Sequence, residues 1–288
     1  MEKKGDGKRL IQSGTLFVVA TPIGNLEDIT LRAIRVLKEV SLVAVEDTRV
    51  ARKLFNHYGI NTPYTSYFEH NEKKKAPIIM EKLSNGEDVA LISDAGTPGI
   101  SDPGFRLIRL AVESSINVTP VPGPSAPAAI LSISGLPFDR VTFLGFVPHG
   151  RAARKRFLLD LLGGEETFVI FDSTRRIKAT LKDIIEVLGD VEVVAAREVT
   201  KLHEEIIRGR ASNVAADIAS RELKGEITLV IRTEGGGHGE GALTAHLEDF
   251  LKSGLPLKEV VKALSREYGV PRSEAYKEAL VIKKRLGL

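Results

Sequence analysis

The chain of 288 residues has no cysteine. That excludes disulfides, thiolate zinc sites, iron–sulfur clusters and a thiol nucleophile. It contains one glutamine, Gln12, and two methionines, a thrift that with abundant Lys and Glu hints at a hot-growing source. No long apolar run free of helix breakers occurs. The longest charge-free stretch, Ser114 to Phe138, carries Pro120, Pro122, Pro124, Pro127 and Pro137, which argues against a membrane span. The start, MEKKGDGKRL, lacks an apolar core, so no signal peptide is expected and a cytoplasmic location is. Two motifs are also missing: no G-x-x-x-x-G-K-[ST] for nucleoside triphosphates and no H-E-x-x-H for a metal; no metal site is expected.

What is present is ordinary for a soluble globule, 43% hydrophobic and 27% charged. The length suggests about two domains. Net charge is +3 but uneven. Lys258 to Leu288 holds eight basic and four acidic residues, leaving the rest about neutral. A second basic run, RAARKR, spans Arg151 to Arg156. Such islands suit a nucleic-acid partner, though one run alone is more often a solvated helix face.

Short β-branched runs alternate with helix-period segments from Thr15 to Val121, which predicts βαβ units on a mostly parallel sheet. A second alternating half follows. There VEVVAARE and EEIIRG have no helix between them, so antiparallel pairs are expected. EGGGHGEG (234–241) reads as a linker, and only helical patterns follow it. The expected organisation is a flexible extension at 1–13, α/β domains at 14–124 and 125–233, the linker, and a small C-terminal helical domain at 242–288. The last two helices could bind nucleic acid, cap the fold or join two copies.

Four loops carry the chemistry. TPIGNLEDIT (Thr21–Thr30) follows the first strand, with Asp28 or Thr30 available to cap the next helix. EDTR (Glu46–Arg49) ends the second strand and is richer in functional groups than a cap requires. SDAGTPGISDPG (Ser93–Gly104) packs three glycines and two prolines into twelve residues, so the main chain can approach a ligand closely. Its Asp94 and Asp102 have no Lys or Arg between them, which disfavours phosphate and suits hydroxyls, amines or a sulfonium. VPGPSAPAA (Val121–Ala129) ends in Ser125 and small residues opening a helix. Ligands of open α/β sheets bind at such carboxyl ends. AREVTKLHEE (Ala196–Glu205) concentrates charge; an ion-paired hairpin is its plainer reading. Gly237 to Ala242 matches G-x-G-x-x-A, but only helices follow it, so it reads as linker.

Taken in order, TPIGNLEDIT, EDTR, LISDAGTPGISDPG, PGPSA, FLGFVP and REVTKLHEE resemble the small-subunit ribosomal RNA methyltransferase I family of the tetrapyrrole methylase (class III) superfamily. The resemblance covers about Gly14 to Arg232. It implies an α/β, two-domain class III methyltransferase with a C-terminal helical domain, acting as a homodimer. It further implies S-adenosylmethionine-dependent 2′-O-methylation of a cytidine ribose in the decoding region of 16S rRNA, with the cofactor in the cleft between the domains. By motif, the cofactor would touch Pro22, Ile23 and Gly24, then Asp94, Thr97, Ile100 and Ser101, then Ser125 and Ala126; Thr228 and Leu229 are guesses for the second domain. Glu46, Asp47 and Arg49 are the first candidates for handling the ribose proton and charge, followed by Lys201 and Glu198. RNA contacts are expected from Arg151, Arg154, Lys155, Arg156, Arg175, Arg176 and the basic tail. A tetrapyrrole or diphthine methyltransferase, or a non-catalytic nucleic-acid binder, are the alternatives.

Overall fold

The computed structural model describes residues 13–162, 165–223, 225–234, 247, 248, 250, 251 and 256–287. The expected N-terminal extension, but for Ser13, and the expected linker at 234–241, but for Glu234, lie outside them. The chain divides into two compact units, Met1–Ala126 and Pro127–Leu288.

In the first unit, β1 (Thr15–Val19), β2 (Leu42–Val45), β3 (Tyr64–Ser66), β4 (Val89–Ile92) and β5 (Asn117–Val121) form one sheet in the order β3-β2-β4-β1-β5. Every pairing is parallel. Side chains alternate between faces along a strand. Along β4, Val89 and Leu91 enter one core while Ala90 and Ile92 enter another. The strand is buried throughout because both faces are covered. Helices α1 (Leu31–Glu39) and α2 (Thr48–Tyr58) supply Val36, Leu37, Leu54 and Phe55 to one face. Helices α3 (Glu72–Ser84) and α4 (Phe105–Glu113) supply Ile79, Leu83 and Leu107 to the other. Strand β3 was not expected: three residues after Pro63 are too few to show a period.

In the second unit, β6 (Val141–Phe146), β7 (Thr167–Ser173), β8 (Glu192–Arg197), β9 (Glu205–Arg210) and β10 (Glu226–Arg232) form a sheet in the order β6-β7-β10-β8-β9. Only β6 and β7 are parallel; the others pair antiparallel, β8 with β9 as expected. Helices α6 (Arg151–Leu159), α7 (Ile177–Leu188) and α8 (Ala211–Ala219) cover one face. Ile130 of α5 (Ala126–Ser134) sits in a smaller cluster with Val169, Val194 and Val230.

The last helices, α9 (Leu257–Tyr268) and α10 (Arg272–Arg285), were expected as a separate domain. Instead Val260, Leu264, Ala275, Ala279 and Ile282 share one core with Leu158, Leu181 and Ile184 of α6 and α7. Arg266 fastens the contact: its Nε donates to Leu162 O at 2.8 Å, and a terminal nitrogen donates to Asp160 O at 2.5 Å. These carbonyls just beyond α6 would otherwise lack partners. No helix among the described residues is long and apolar enough to cross a membrane.

Candidate active site

The carboxyl edge of the first sheet gathers all four loops. Loop one turns at once after β1. Asn25 accepts from Glu27 N, and Thr30, one of the two expected caps, accepts from Ala33 N to start α1. Loop three is stitched to it by a two-way bridge, Thr21 N to Gly96 O at 2.9 Å and Gly96 N to Thr21 O at 3.1 Å. Thr21 Oγ1 adds a bond to Ser93 O. Gly96 has φ 78°, and a Cβ there would lie 3.4 Å from Ile23 Cγ2 and 3.8 Å from Pro124 O. These are ordinary contact distances, so it is the left-handed backbone, more than lack of room, that calls for glycine where loops one, three and four meet. Ser101 adopts φ 63°, a strained value for a non-glycine residue. Pro22, Ile23, Gly24, Asp94, Thr97, Ile100, Ser101, Ser125 and Ala126 all sit in these loops or at the start of α5.

Loop two joins by a reciprocal clasp. Asp94 N donates to Glu46 Oε2 at 3.1 Å, and Asp47 N donates to Asp94 Oδ1 at 3.0 Å. The clasp crowds three carboxylates, and their environments separate them. Burial, aided by the charges of Asp94 and Asp47, pushes Glu46 above the usual glutamate value. Burial and the charge of Asp47 raise Asp94 as well. Asp47 goes the other way, to about 2, because the Arg49 side chain and the Arg49 N–H both donate to it. Asp47 is the N-cap of α2. A carboxylate so acidic accepts a proton poorly, so Asp47 and Arg49 form a fixed ion pair beside the more basic Glu46.

Sequence reasoning missed Glu72. From the first turn of α3, its Oε1 accepts from Gly104 N at 3.3 Å, at the N-cap of α4, a glycine with no side chain of its own to cap the helix. The buried Tyr67 hydroxyl stands beside it, pushed well above its ordinary pKa by burial and the Glu72 charge. No sequence signal links Glu72 to a loop 32 residues away.

The second unit places Glu198 and Lys201 where β8 turns toward β9, with Nζ and Oε1 2.9 Å apart. Glu226 N also donates to Glu198 Oε1. Burial pushes Glu198 up, but the bonds from Lys201 and Glu226 N, with the Lys201 and Arg197 charges, outweigh it and hold it below the usual range. Arg197 and Glu205 pair across the hairpin at 3.2 Å, so the plainer ion-paired reading also describes this segment. Thr228 and Leu229 lie in β10, paired on both sides by β7 and β8. The Leu229 side chain is sealed in the core, which leaves it no exposed surface for the cofactor contact guessed there.

The run RAARKR requires a larger correction. Arg154 and Lys155 are each 4% exposed, so they cannot meet RNA. Arg154 pairs with Asp183 at 2.6 Å and Lys155 with Glu186, both on α7. Arg151 reaches the same two carboxylates, and Arg156 pairs with Glu259 of α9. The run is chiefly an ionic seam between helices. Arg175 is exposed, Arg176 is tied to the buried Asp172, and Lys258, Lys262, Arg272, Lys277 and Lys284 of the tail stand exposed. Among the described residues no three His, Asp or Glu side chains converge as a metal site needs.

Residues 15–215 match the family model described as Tetrapyrrole (Corrin/Porphyrin) Methylases. A protein of Pseudomonas aeruginosa named ribosomal RNA small subunit methyltransferase I is 43% identical over 278 residues, 94% of this chain and 98% of its own. The Thermotoga maritima protein of the same name is 45% identical over 218 residues, 76% of this chain and 98% of its own. Among solved structures, a cobalt precorrin-4 methyltransferase superposes with TM-score 0.59 at 18% identity, over 76% of this chain and 94% of its own, a likeness of fold alone. On the extent of the family match and these identities, the chain belongs to the tetrapyrrole methylase family and, within it, to the ribosomal RNA small subunit methyltransferase I group.

Proposed function

We propose that the chain catalyses S-adenosylmethionine-dependent 2′-O-methylation of a cytidine ribose in the decoding region of 16S rRNA, working as a homodimer in the cytoplasm. The observation that carries the reading is the carboxyl edge of the first sheet, where a left-handed glycine and a carboxylate clasp draw four loops together. Relatives named for ribosomal RNA methylation support the substrate class.

The residues present fit the cofactor. Main chain that approaches closely at Gly96, with Asp94, Thr97 and Ser101 around it, offers acceptors and hydroxyls to a cationic, hydroxyl-bearing ligand. When bound, S-adenosylmethionine supplies an electrophilic methyl group on a positively charged sulfur. Pro22, Ile23, Gly24, Ile100, Ser125 and Ala126 would hold it from the sides. Glu46 receives the proton of the ribose 2′-hydroxyl, which is a poor nucleophile until that proton leaves. Lys201, anchored by Glu198, is a second candidate for managing charge at that oxygen. Holding the reacting groups in line can supply about 7–11 kcal/mol, more than the base does.

Three expected results test this. Incubated with labelled donor and 16S rRNA or small subunits, the purified chain should add one methyl mass to a single cytidine and protect its 3′ phosphodiester from alkali. Methylation of a base, or of nothing, would overturn the reading. The cofactor alone should raise the melting temperature, corresponding to about 2.7 kcal/mol at one hundred times its Kd. Gly96→Ala must force an L side chain into a left-handed backbone at about 1–2 kcal/mol, at the point where loops one and three are bridged. Cofactor affinity by titration calorimetry should therefore fall about tenfold, with the fold retained by circular dichroism.

A further inference from the structure

The carboxyl ends of β6, β7 and β8 share one edge of the second sheet, because β10 runs antiparallel to both β7 and β8 while β6 parallels β7. A cavity of about 830 Å³ opens there, lined by His149, Ser173, Thr174, Arg175 and Arg176. Gly225 also lines it and ties it to the Glu198–Lys201 turn: with φ 94°, its missing Cβ would fall 2.1 Å from Glu198 Oε1.

The lining is built for an anion. Arg176 is held on three sides: Nε donates to Ser173 Oγ at 3.1 Å, one terminal nitrogen to Val147 O at 3.2 Å, and the other pairs with Asp172 Oδ1 at 2.8 Å. A guanidinium has five N–H donors, so two remain in a fixed orientation. Arg175 is exposed and has no ion pair among the described residues. The nearby Asp172 is buried and already bonded to Arg176, Ser173 N and Thr180 Oγ1. Both α6, which begins two residues past His149, and α7, which begins just past Arg176, start without a side-chain cap, leaving first-turn amides and the positive ends of two helix dipoles toward this edge. Glu222 is the one carboxylate among the described lining residues, and it is exposed. The volume lies in the range of sites for molecules larger than a free phosphate.

We infer that this cavity seats a backbone phosphate of the substrate RNA together with its nucleotide. The inference rests on the chain being an RNA methyltransferase, and it assigns His149, Ser173, Thr174 and Arg175 a role in gripping the substrate. Planar donors fixed by Asp172 suit a phosphodiester, and the sequence of the bound nucleotide is immaterial to such contacts.

The test uses the full chain and a fluorescent RNA hairpin copied from the 16S decoding region, with affinity measured across a potassium chloride series. Arg175→Gln should weaken binding about tenfold at low salt and flatten the salt dependence by roughly 0.7 in log–log slope. Glu222→Gln should shift affinity the opposite way. Both variants should keep the cofactor-induced rise in melting temperature. An unchanged slope and affinity for Arg175→Gln, with wild-type methyl transfer intact, overturns the pocket alone. A weaker cofactor shift in place of weaker RNA binding also overturns it, since the cavity would then hold the carboxylate of a small molecule. Failure of the wild type to bind or methylate RNA overturns the underlying reading as well.

Discussion

Glu46→Gln should slow single-turnover methyl transfer by about 10²–10⁴-fold and remove the acidic limb of its pH profile. The amide keeps an acceptor oxygen for Asp94 N, so the clasp between loops two and three survives and cofactor affinity should hardly move. What disappears is a carboxylate whose basicity burial has raised. The sign follows directly. Glu46 works as a base only when ionised, so activity rises with pH as its proton leaves. Because the pKa is raised, that limb lies above the position an ordinary glutamate of 4.5 would give. Rates at saturating cofactor across pH, with calorimetric affinities alongside, check it. A variant that keeps the limb would remove Glu46 from the role of base. Asp47→Asn is the informative control: a group titrating near 2 contributes no limb in the working range, and its loss should act on α2 through the cap and Arg49.

Asp183→Ala should cost about 3–5 kcal/mol of stability. Asp183 and Arg154 are buried against each other, with side chains 2% and 5% exposed and Oδ2 2.6 Å from the guanidinium. Removing the carboxylate strands a guanidinium between α6 and α7 and leaves Arg151 with Glu186 alone. Denaturant midpoints at constant m-value measure the loss. Replacing both partners, Arg154→Met with Asp183→Leu, should recover most of it, because two apolar chains of similar volume need no partner. If the single variant melts like the wild type, the seam contributes nothing and RAARKR returns to consideration as a docking surface.

The sequence made the βαβ order of the first unit legible because its central strands are buried on both faces and its helices are amphipathic. The four loops were legible through turn chemistry: glycine, proline and capping side chains mark where a chain bends at a strand end. Three features were not. The basicity of Glu46 comes chiefly from burial in a clasp closed by Asp94, 48 residues further on, and Gly104 is held by Glu72. The inward face of α6 was hidden because a dense run of charge masks helical period. Its signal was nevertheless there: Arg151, Arg154 and Lys155 stand at i, i+3 and i+4, and Asp183 and Glu186 stand three apart on the next helix of the same unit. Charge counted as composition suggests a surface; charge counted with spacing suggests a partner.

The placement of Arg266 has a practical corollary. Since it terminates α6 from the far end of the chain, and since α9 and α10 fill the same interior as α7, the tail behaves as mortar and not as an attachable arm. Cutting the gene after the glycine tract would bare a greasy wall and produce inclusion bodies, so a role of the tail in RNA binding is best tested by neutralising its outward lysines one by one.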